Sequence, residues 1–450
     1  MRFCTYAQNL LSDGAELDMQ EIEKGFRAAA LRDGDAAFRQ FLSSINVEQP
    51  HCPLCNTPLS KIDRRKKTIV SLMGTGVYER GYYECLNGHG HFIPCDEIIG
   101  VHKTAYTPGV RFAVSKLAAT GSFEWTSEAL AEIAEIYVSP KECQRISESA
   151  GEKIELKSKK RIDAAMIPEP SRSCLSECVP VIKNDSTLYV EFDGTGIPMI
   201  RKELTNRAGK QADGSAKTRE AKIGCLFTQS AFDDKGDPIR DDNSTSYIGA
   251  IETAEMFGWR VYAEALRRDE TAFKRTVVIG DGAKWVWGIA ERHFPNAIHI
   301  VDMYHAIEHL CTLARELFPD PDKRDSILDD WVATLKAGKI KVLAEKIQSV
   351  AHLSEKQKDK AAAEANYFLE NAERMRYAKF KEMGLFIGSG VVEAACKLVV
   401  GQRLKQSGMF WSVNGANAII ALRCSDLSCN EDFASHFAPV LSSVNLKSAA

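Results

Sequence analysis

Two apolar runs stop at an Asp followed by Gly: Val190-Glu191-Phe192-Asp193-Gly194-Thr195-Gly196 and Val278-Ile279-Gly280-Asp281-Gly282-Ala283. An acid at the carboxyl end of an open-sheet strand stands where ligands bind in such sheets, and glycine lets a ligand approach the backbone closely. Asp before Gly is also common in plain turns, so one such pair decides nothing. A third acid, Glu393, interrupts the small, apolar helix start Gly388-Ser389-Gly390-Val391-Val392-Glu393-Ala394-Ala395. Hard divalent cations take oxygen ligands. Three carboxylates suffice for two Mg2+ (or Mn2+) ions about 4 Å apart, which activate an attacking oxygen and stabilise a leaving one at a phosphate. The expectation is that Asp193, Asp281 and Glu393 converge on one such centre.

The sulfur chemistry lies elsewhere. Cys52-Pro53-Leu54-Cys55 has knuckle spacing, and Cys85-Leu86-Asn87-Gly88-His89-Gly90-His91 follows a β-like stretch at 68–83. Cys and His in that pattern suit a tetrahedral structural Zn2+ in a zinc ribbon. Cys52, Cys55 and Cys85 supply three ligands; the fourth is open among His89, His91 and Cys95, with His89 preferred. Arg64-Arg65-Lys66-Lys67 falls in the ribbon's loop, and other basic clusters lie at 157–161, 202–219 and 397–405. A charge run usually marks a solvated face, but beside a nuclease centre phosphate contact is the expected use. The candidates are Arg64, Arg65 and Lys66, with Lys397, Arg403 and Lys405 following Glu393 at roughly helical spacing. Trp331 is a candidate for stacking on an unpaired base, although such a Trp is more often a core anchor.

The elements that must position these groups come in blocks. Residues 16–45 suggest a helical pair broken at Asp33-Gly34. A short helix at 127–134, a break at Val138-Ser139-Pro140 and a second helix to about Ala150 have helix-turn-helix form, with Ser139 as N-cap and Pro140 at the first helical position. Residues 152–185, with Lys157-Ser158-Lys159-Lys160-Arg161 and Pro168, Pro170 and Pro180, suggest a basic, partly extended linker. From Thr187 the order is β-β-β-α-β-α-β, which predicts a mixed sheet with helices on its faces. Residues 303–385 contain no convincing strand, a further helix runs from Val391 to about Arg403, and the last twenty or so residues carry little structural signal.

These motifs, taken in order, resemble the ISKra-type family of bacterial insertion-sequence transposases, which have a ribonuclease-H-like DDE core. The segments that carry the resemblance are those around Asp193 and Asp281, Val301-Asp302-Met303-Tyr304-His305, and the run from Ile387 through Arg403-Leu404-Lys405-Gln406-Ser407-Gly408-Met409 to Trp411. The resemblance spans about 52–423. It implies that Asp193, Asp281 and Glu393 bind the catalytic metals and that 303–385 is a helical insertion. It also implies a supporting role for Asp302 and His305, where capping a helix is the plainer alternative. The family usually carries a second Cys-x-x-Cys in the ribbon; Gly88 stands where its last Cys would fall.

The expected fold class is therefore α/β and multidomain, a ribonuclease-H-like mixed sheet with a helical insertion behind a zinc ribbon and a helix-turn-helix region. The parts are an N-terminal helical segment (1–48), the ribbon (49–100), the helix-turn-helix region (101–165), the first part of the core (186–302), the insertion (303–385), the last core helices (386–430) and a tail (431–450).

Composition is compatible with this. Hydrophobic residues make up 44% and charged residues 26% of 450, which excludes a disordered or collagenous chain. The net charge is −3, so DNA contact must rest on local basic surfaces rather than a global excess. No run approaches the roughly 18 apolar residues of a membrane span, and residues 1–20 lack a signal pattern, so the expected location is the cytoplasm, on the nucleoid when DNA-bound. The 13 cysteines are then reduced or metal-bound. The expected activity is transposition: cleavage at transposon terminal inverted repeats and transfer of the freed 3′-hydroxyl to target DNA, by a homodimer or larger assembly on double-stranded DNA, with two Mg2+ ions and a structural Zn2+. The alternatives are a metal nuclease of the same fold and a catalytically inactive, sequence-specific DNA-binding protein.

Overall fold

The computed structural model describes residues 18–167, 185–209, 211, 214, 216–428 and 433–437. The three prolines at 168, 170 and 180 and most of the tail lie outside them. The chain divides into two compact units, 1–150 with 433–450, and 151–432.

In the first unit, α1 (Met19–Ser44) starts where the Asp18 carboxylate accepts the Gln20 N–H. It is one continuous helix rather than the expected pair. A single helical Gly costs only about 1 kcal/mol, too little for Gly34 to stop a helix that buries Ala29 and Leu42. Strands β1 (Ser60–Ser71) and β2 (Gly74–Cys85) form an antiparallel hairpin, and β3 (Gly90–Phe92) pairs back onto β2. Leu42, Val47, Ile69, Tyr78, Cys95 and Val101 make its core. Asp96, 3% exposed, gathers Lys67 Nζ at 2.8 Å, Arg80 Nε at 2.9 Å and the Tyr78 hydroxyl at 2.5 Å, so Lys67 is bound internally. Helices α2 (Pro94–Ile98), α3 (Pro108–Thr120), α4 (Phe123–Ala134) and α5 (Pro140–Ala165) follow. Thr107, Ser122 and Ser139 each accept an N–H of the first turn that follows. Val110, Val114, Leu130, Ile136, Val138, Cys143 and Ile146 pack together. The fifth helix runs on to Ala165 and takes in 157–161, which are helical and not an extended linker.

The second unit is built on a six-stranded mixed sheet. Its strands are β4 (Thr187–Pro198), β5 (Thr218–Phe232), β6 (Pro238–Arg240), β7 (Ser246–Ala250), β8 (Arg275–Gly280) and β9 (Ile298–Val301). The order is β6-β5-β4-β8-β9, with β7 also on β5. Strand β4 is antiparallel to β5 and parallel to β8, which is parallel to β9. Both faces of β4 are covered: Leu188, Tyr189, Val190 and Phe192 are fully buried, as a near-continuous apolar run requires. Only the short β6 was not foreseen. Helices α6 (Ala254–Arg267) and α7 (Lys284–His293) connect the later strands. On α6, Arg260 bonds bidentately to both Glu155 and Glu252 and ties the second half of α5 down.

Among the described residues, 303–385 contain no strand. They form α8 (Met303–Leu317), α9 (Pro321–Lys336), α10 (Ile340–Gln348), α11 (Glu355–Glu370) and α12 (Tyr377–Glu382). Trp331 is 2% exposed and packs against Phe318, so it is a core anchor and not a base-stacking surface. After α12 comes α13 (Gly390–Ala395), which continues through a wide π-helical turn (Cys396–Gly401) into α14 (Gln402–Leu404). Trp411 then bonds back beside β4, its N–H to Pro198 O at 3.1 Å, and α15 (Val413–Leu427) closes the unit.

Candidate active site and metal cluster

The sheet register sets the site. Glu191 on β4 is level with Ile279 on β8, so two residues on Asp193 is level with Asp281 and shares its face. Gly280 is level with Val301, which brings Asp302 to the same row, and the Asp302 N–H reaches Gly280 O at 2.8 Å. Asp281 and Asp302 thus follow the last residues of β8 and β9, level with Asp193, while β4 does not stop at Asp193-Gly194 as expected but stays paired with β5 to Pro198. Asp281 is half-buried, and its Oδ1 accepts the Ala283 N–H at 3.0 Å, fixing the turn. Asp193 Oδ1 accepts the Gly194 N–H at 2.6 Å. Burial, with the negative charge of Asp281, raises its pKa.

The late helix meets this edge. The Cys396 thiol donates to Asp193 Oδ2 at 3.7 Å, and Glu393, one turn earlier on the same helix face, is exposed. Two buried carboxyl groups fasten the start of that helix. Asp302 Oδ2 accepts both the N–H, at 3.1 Å, and the hydroxyl of Ser389, while its Oδ1 caps α8 through Tyr304 N at 2.7 Å. Glu191 Oε2 accepts the Val392 N–H at 2.9 Å. Glu191 is fully buried and pushed up to about 8 by burial, with Asp302 and Glu393 adding, so it is largely protonated at neutral pH.

Several of these groups went unread in the sequence. Glu191 had a signal: it is a charged residue inside an apolar strand, two positions from Asp193 and so on its face. Ser389 and Cys396 had none beyond proximity to Glu393.

Of the basic candidates, Lys405 is exposed and donates to Thr195 Oγ1 at 2.7 Å, beside Asp193. Lys397 is exposed. Arg403 is fully buried; its Nη1 lies 3.3 Å from Met409 Sδ, and burial, then the charge of Arg423, lower it to about 10. With no exposed surface and its guanidinium 5.3 Å over the Trp411 ring, Arg403 is an internal packing group, and the expectation for it is corrected. The wide turn changes the helix phase between Glu393 and Arg403 and carries Arg403 off the Glu393 face. His305 lies on α8 3.8 Å from Glu308 and, when protonated, lowers the pKa of Asp193.

In the first unit, Cys52, Cys55, Cys85 and His89 place one ligand atom each within 4.8 Å of the others, a group able to hold a metal ion. Cys55 and Cys85 sulfurs are 3.6 Å apart, and His89 Nδ1 is 3.7 Å from Cys52 Sγ and 3.6 Å from Cys85 Sγ. A tetrahedron with Zn–S near 2.3 Å and Zn–N near 2.0 Å has edges of about 3.5–3.8 Å. The donor set and its spacing fit that ion. His91 instead stacks on Tyr82 at 5.0 Å, and Cys95 is buried in the hairpin core. Arg64, Arg65, Lys66 and Lys67 lie within strand β1 and not in a loop: Arg64 donates to Ser43 O and Glu79 O, Arg65 lies 3.3 Å over the Tyr82 ring, and Lys66 is exposed. Among the described residues this is the one group of three or more His, Cys, Asp or Glu so tightly gathered. Asp193, Asp281 and Glu393 share an edge of the sheet without reaching that closeness.

Residues 183–431, 249 of 450, match the model of an uncharacterised protein family, UPF0236. The chain belongs to UPF0236. The UPF0236 segment holds the whole six-stranded sheet, the row of Asp193, Asp281 and Asp302, and the late helix. No curated protein matches the chain. A solved structure described as the Drosophila P element transposase strand transfer complex is distantly similar, with a TM-score of 0.25 and 9% identity over 73% of this chain and 80% of that one. No helix among the described residues is long and apolar enough to cross a membrane.

Proposed function

We propose that this chain is a DNA transposase of the ISKra type, which cleaves transposon ends and transfers the 3′-hydroxyl to target DNA. The observation that carries the reading is the row of carboxylates across β4, β8 and β9 with Glu393 and Cys396 laid over it. The residues fit a divalent cation: burial and the charge of Asp281 both raise Asp193, and a cation would relieve that repulsion. Asp193, Asp281 and Glu393 would hold two Mg2+ ions, which supply nucleophile activation and charge neutralisation at the phosphate.

The protein's own contribution is positioning. Asp302 and Glu191 fix the helix start that aims Glu393. Lys405 and Lys397 place cations beside the acids, so that the DNA backbone is not repelled. The Cys396 thiol, held neutral by burial and by the charge of Asp193, gives Asp193 a donor and orients it. In the first unit, Zn2+ on Cys52, Cys55, Cys85 and His89 would anchor a ribbon that presents Arg64, Arg65 and Lys66 to DNA, and α4 with α5 would act as the helix-turn-helix reader.

The test mixes the protein with labelled inverted-repeat ends, a target plasmid and Mg2+. Joined products that vanish in Asp193→Asn and Glu393→Gln support the reading. Cutting without joining points to a nuclease, and binding without cutting to an inactive DNA-binding protein.

A further inference from the structure

Tyr367, on α11 of the helical block, carries a buried hydroxyl that has no hydrogen-bond partner. The hydroxyl end of its ring abuts Gly282, where an added Cβ would stand 2.3 Å from ring Cε2 and 2.5 Å from the phenol oxygen. Only glycine admits it, and the hydroxyl therefore rests over the backbone next to Asp281. His309 stacks on the ring at 4.3 Å with planes 8° apart. His309 Nδ1 is in turn 2.8 Å from Glu364 Oε2, and Phe368 meets the ring edge-on at 5.3 Å. A side chain held this firmly cannot swing away to find another acceptor.

A buried hydroxyl left unmade is costly, and Phe would fill the same space without that cost. Burial, and the charges of Asp281, Glu364 and Asp302, keep the phenol protonated, so it offers a proton. Asp281 does not take it: the hydroxyl has no acceptor in the structure, and the hydrogen bond Asp281 accepts at Oδ1 comes from the Ala283 N–H. A fixed, buried donor beside the turn that carries Asp281 suits an oxyanion that arrives with the substrate.

We infer that Tyr367 is a further binding residue of this site, and that its hydroxyl donates to a non-bridging oxygen of the DNA phosphodiester held beside Asp281. The inference rests on the polynucleotidyl-transfer reading above. It gives the helical block a part in the chemistry: the block supplies a donor that no strand end provides.

Tyr367→Phe removes the oxygen alone. The affinity of the full chain for a short fluorescein-labelled DNA duplex in Ca2+, its cutting of the same duplex in Mg2+, and its melting temperature are compared with those of the unaltered protein. The expected result is a loss of about 10–100-fold in cutting or affinity, as for a hydrogen bond to a charged group. Melting should be unchanged or raised, and the salt dependence of binding should stay the same, because a neutral donor releases no counterion. Full activity in Tyr367→Phe overturns the inference and leaves the transposase reading standing. A lowered melting temperature with unchanged affinity and cutting also overturns it, since the hydroxyl would then be structural. If the unaltered protein neither binds nor cuts DNA with any divalent metal, both fall, and the silence of the parent protein distinguishes that case.

Discussion

Asp302→Ala should be among the most destabilising single substitutions in the second unit. The side chain is 2% exposed and accepts from Tyr304 N, more distantly from His305 N, and from both the N–H and hydroxyl of Ser389. Losing the cap of α8 costs about 1 kcal/mol, and each buried Ser389 donor left without an acceptor costs about 1–3 kcal/mol, so the sum is about 3–7 kcal/mol. That is comparable with the whole stability of a domain, about 5–15 kcal/mol. Asp302→Asn keeps the shape and one acceptor. With that oxygen turned to the cap, its amide faces Ser389 donor to donor, for a loss of about 1–3 kcal/mol. Urea unfolding followed by tryptophan fluorescence gives both values at a common slope. Amide exchange at Ser389 and Val392 should accelerate in Asn even where the rest of the sheet stays protected. An Ala variant within about 1 kcal/mol of the parent would refute the clamp, and an Asn variant as damaged as Ala would show that charge, not acceptor count, matters. If Ala fails to fold, Asn still carries the comparison.

Three further outcomes are expected. His293, packed against Trp259 and Tyr262, is lowered to about 4 by burial, with Arg292 adding, so the unfolded chain binds the extra proton and stability should fall as pH drops from about 6.5 towards 4. The full loss is up to about 3 kcal/mol, and a His293→Phe chain with the same pH slope as the parent would contradict it. One Zn2+ per chain should be found by metal analysis, lost in Cys85→Ser and kept in His91→Ala and Cys95→Ala; chelation should open 50–95 to protease, and equal resistance with and without metal would deny the cluster any structural part. Lys405→Ala should lower the salt slope of DNA binding by about one unit with melting unchanged, whereas Arg403→Ala should lower melting and leave the slope alone; the reverse pattern would show that Arg403 reaches solvent.

Periodicity carried most of the second unit's architecture. Strand runs ending at Asp281 and Val301-Asp302 were readable because β-branched and aromatic clusters stop sharply at Gly or Asp, whereas the end read at Asp193-Gly194 was wrong, because pairing with β5 carries β4 on to Pro198. The three-residue β6 was not, since Pro238-Ile239-Arg240 has no alternation to read. Local signals misled where tertiary contacts decide. Asp33-Gly34 has the composition of a break, yet the helix around it is held by its buried face. The charge run at 157–161 has linker character, but Arg260 and its two glutamates keep that stretch helical. Arg403 and Trp331 failed for a related reason: whether a cation or a ring faces solvent depends on helix phase and neighbours, and the wide turn after Cys396 is invisible in composition. The Cys/His spacing was legible because four ligands at a metal tolerate little variation. Tyr367 was illegible, because its meaning comes from Gly282, far away in the chain.

The bond from Val392 to Glu191 spans 201 residues, and that from Cys396 to Asp193 spans 203. A growing chain therefore makes the first carboxylates of the site long before their partners. At about 5–20 residues per second, some 10–40 s of synthesis separate them. Through that interval Glu191 has neither the helix that will enclose it nor the N–H it will accept, and β4 cannot be sealed until 387–404 arrive. The centre is consequently the last part of the sheet to mature. A chain halted between Asp281 and Glu393 carries two of the three acids, one halted earlier carries fewer, and neither has a complete site. Whatever chemistry this edge performs is withheld from every copy that still lacks the late helix.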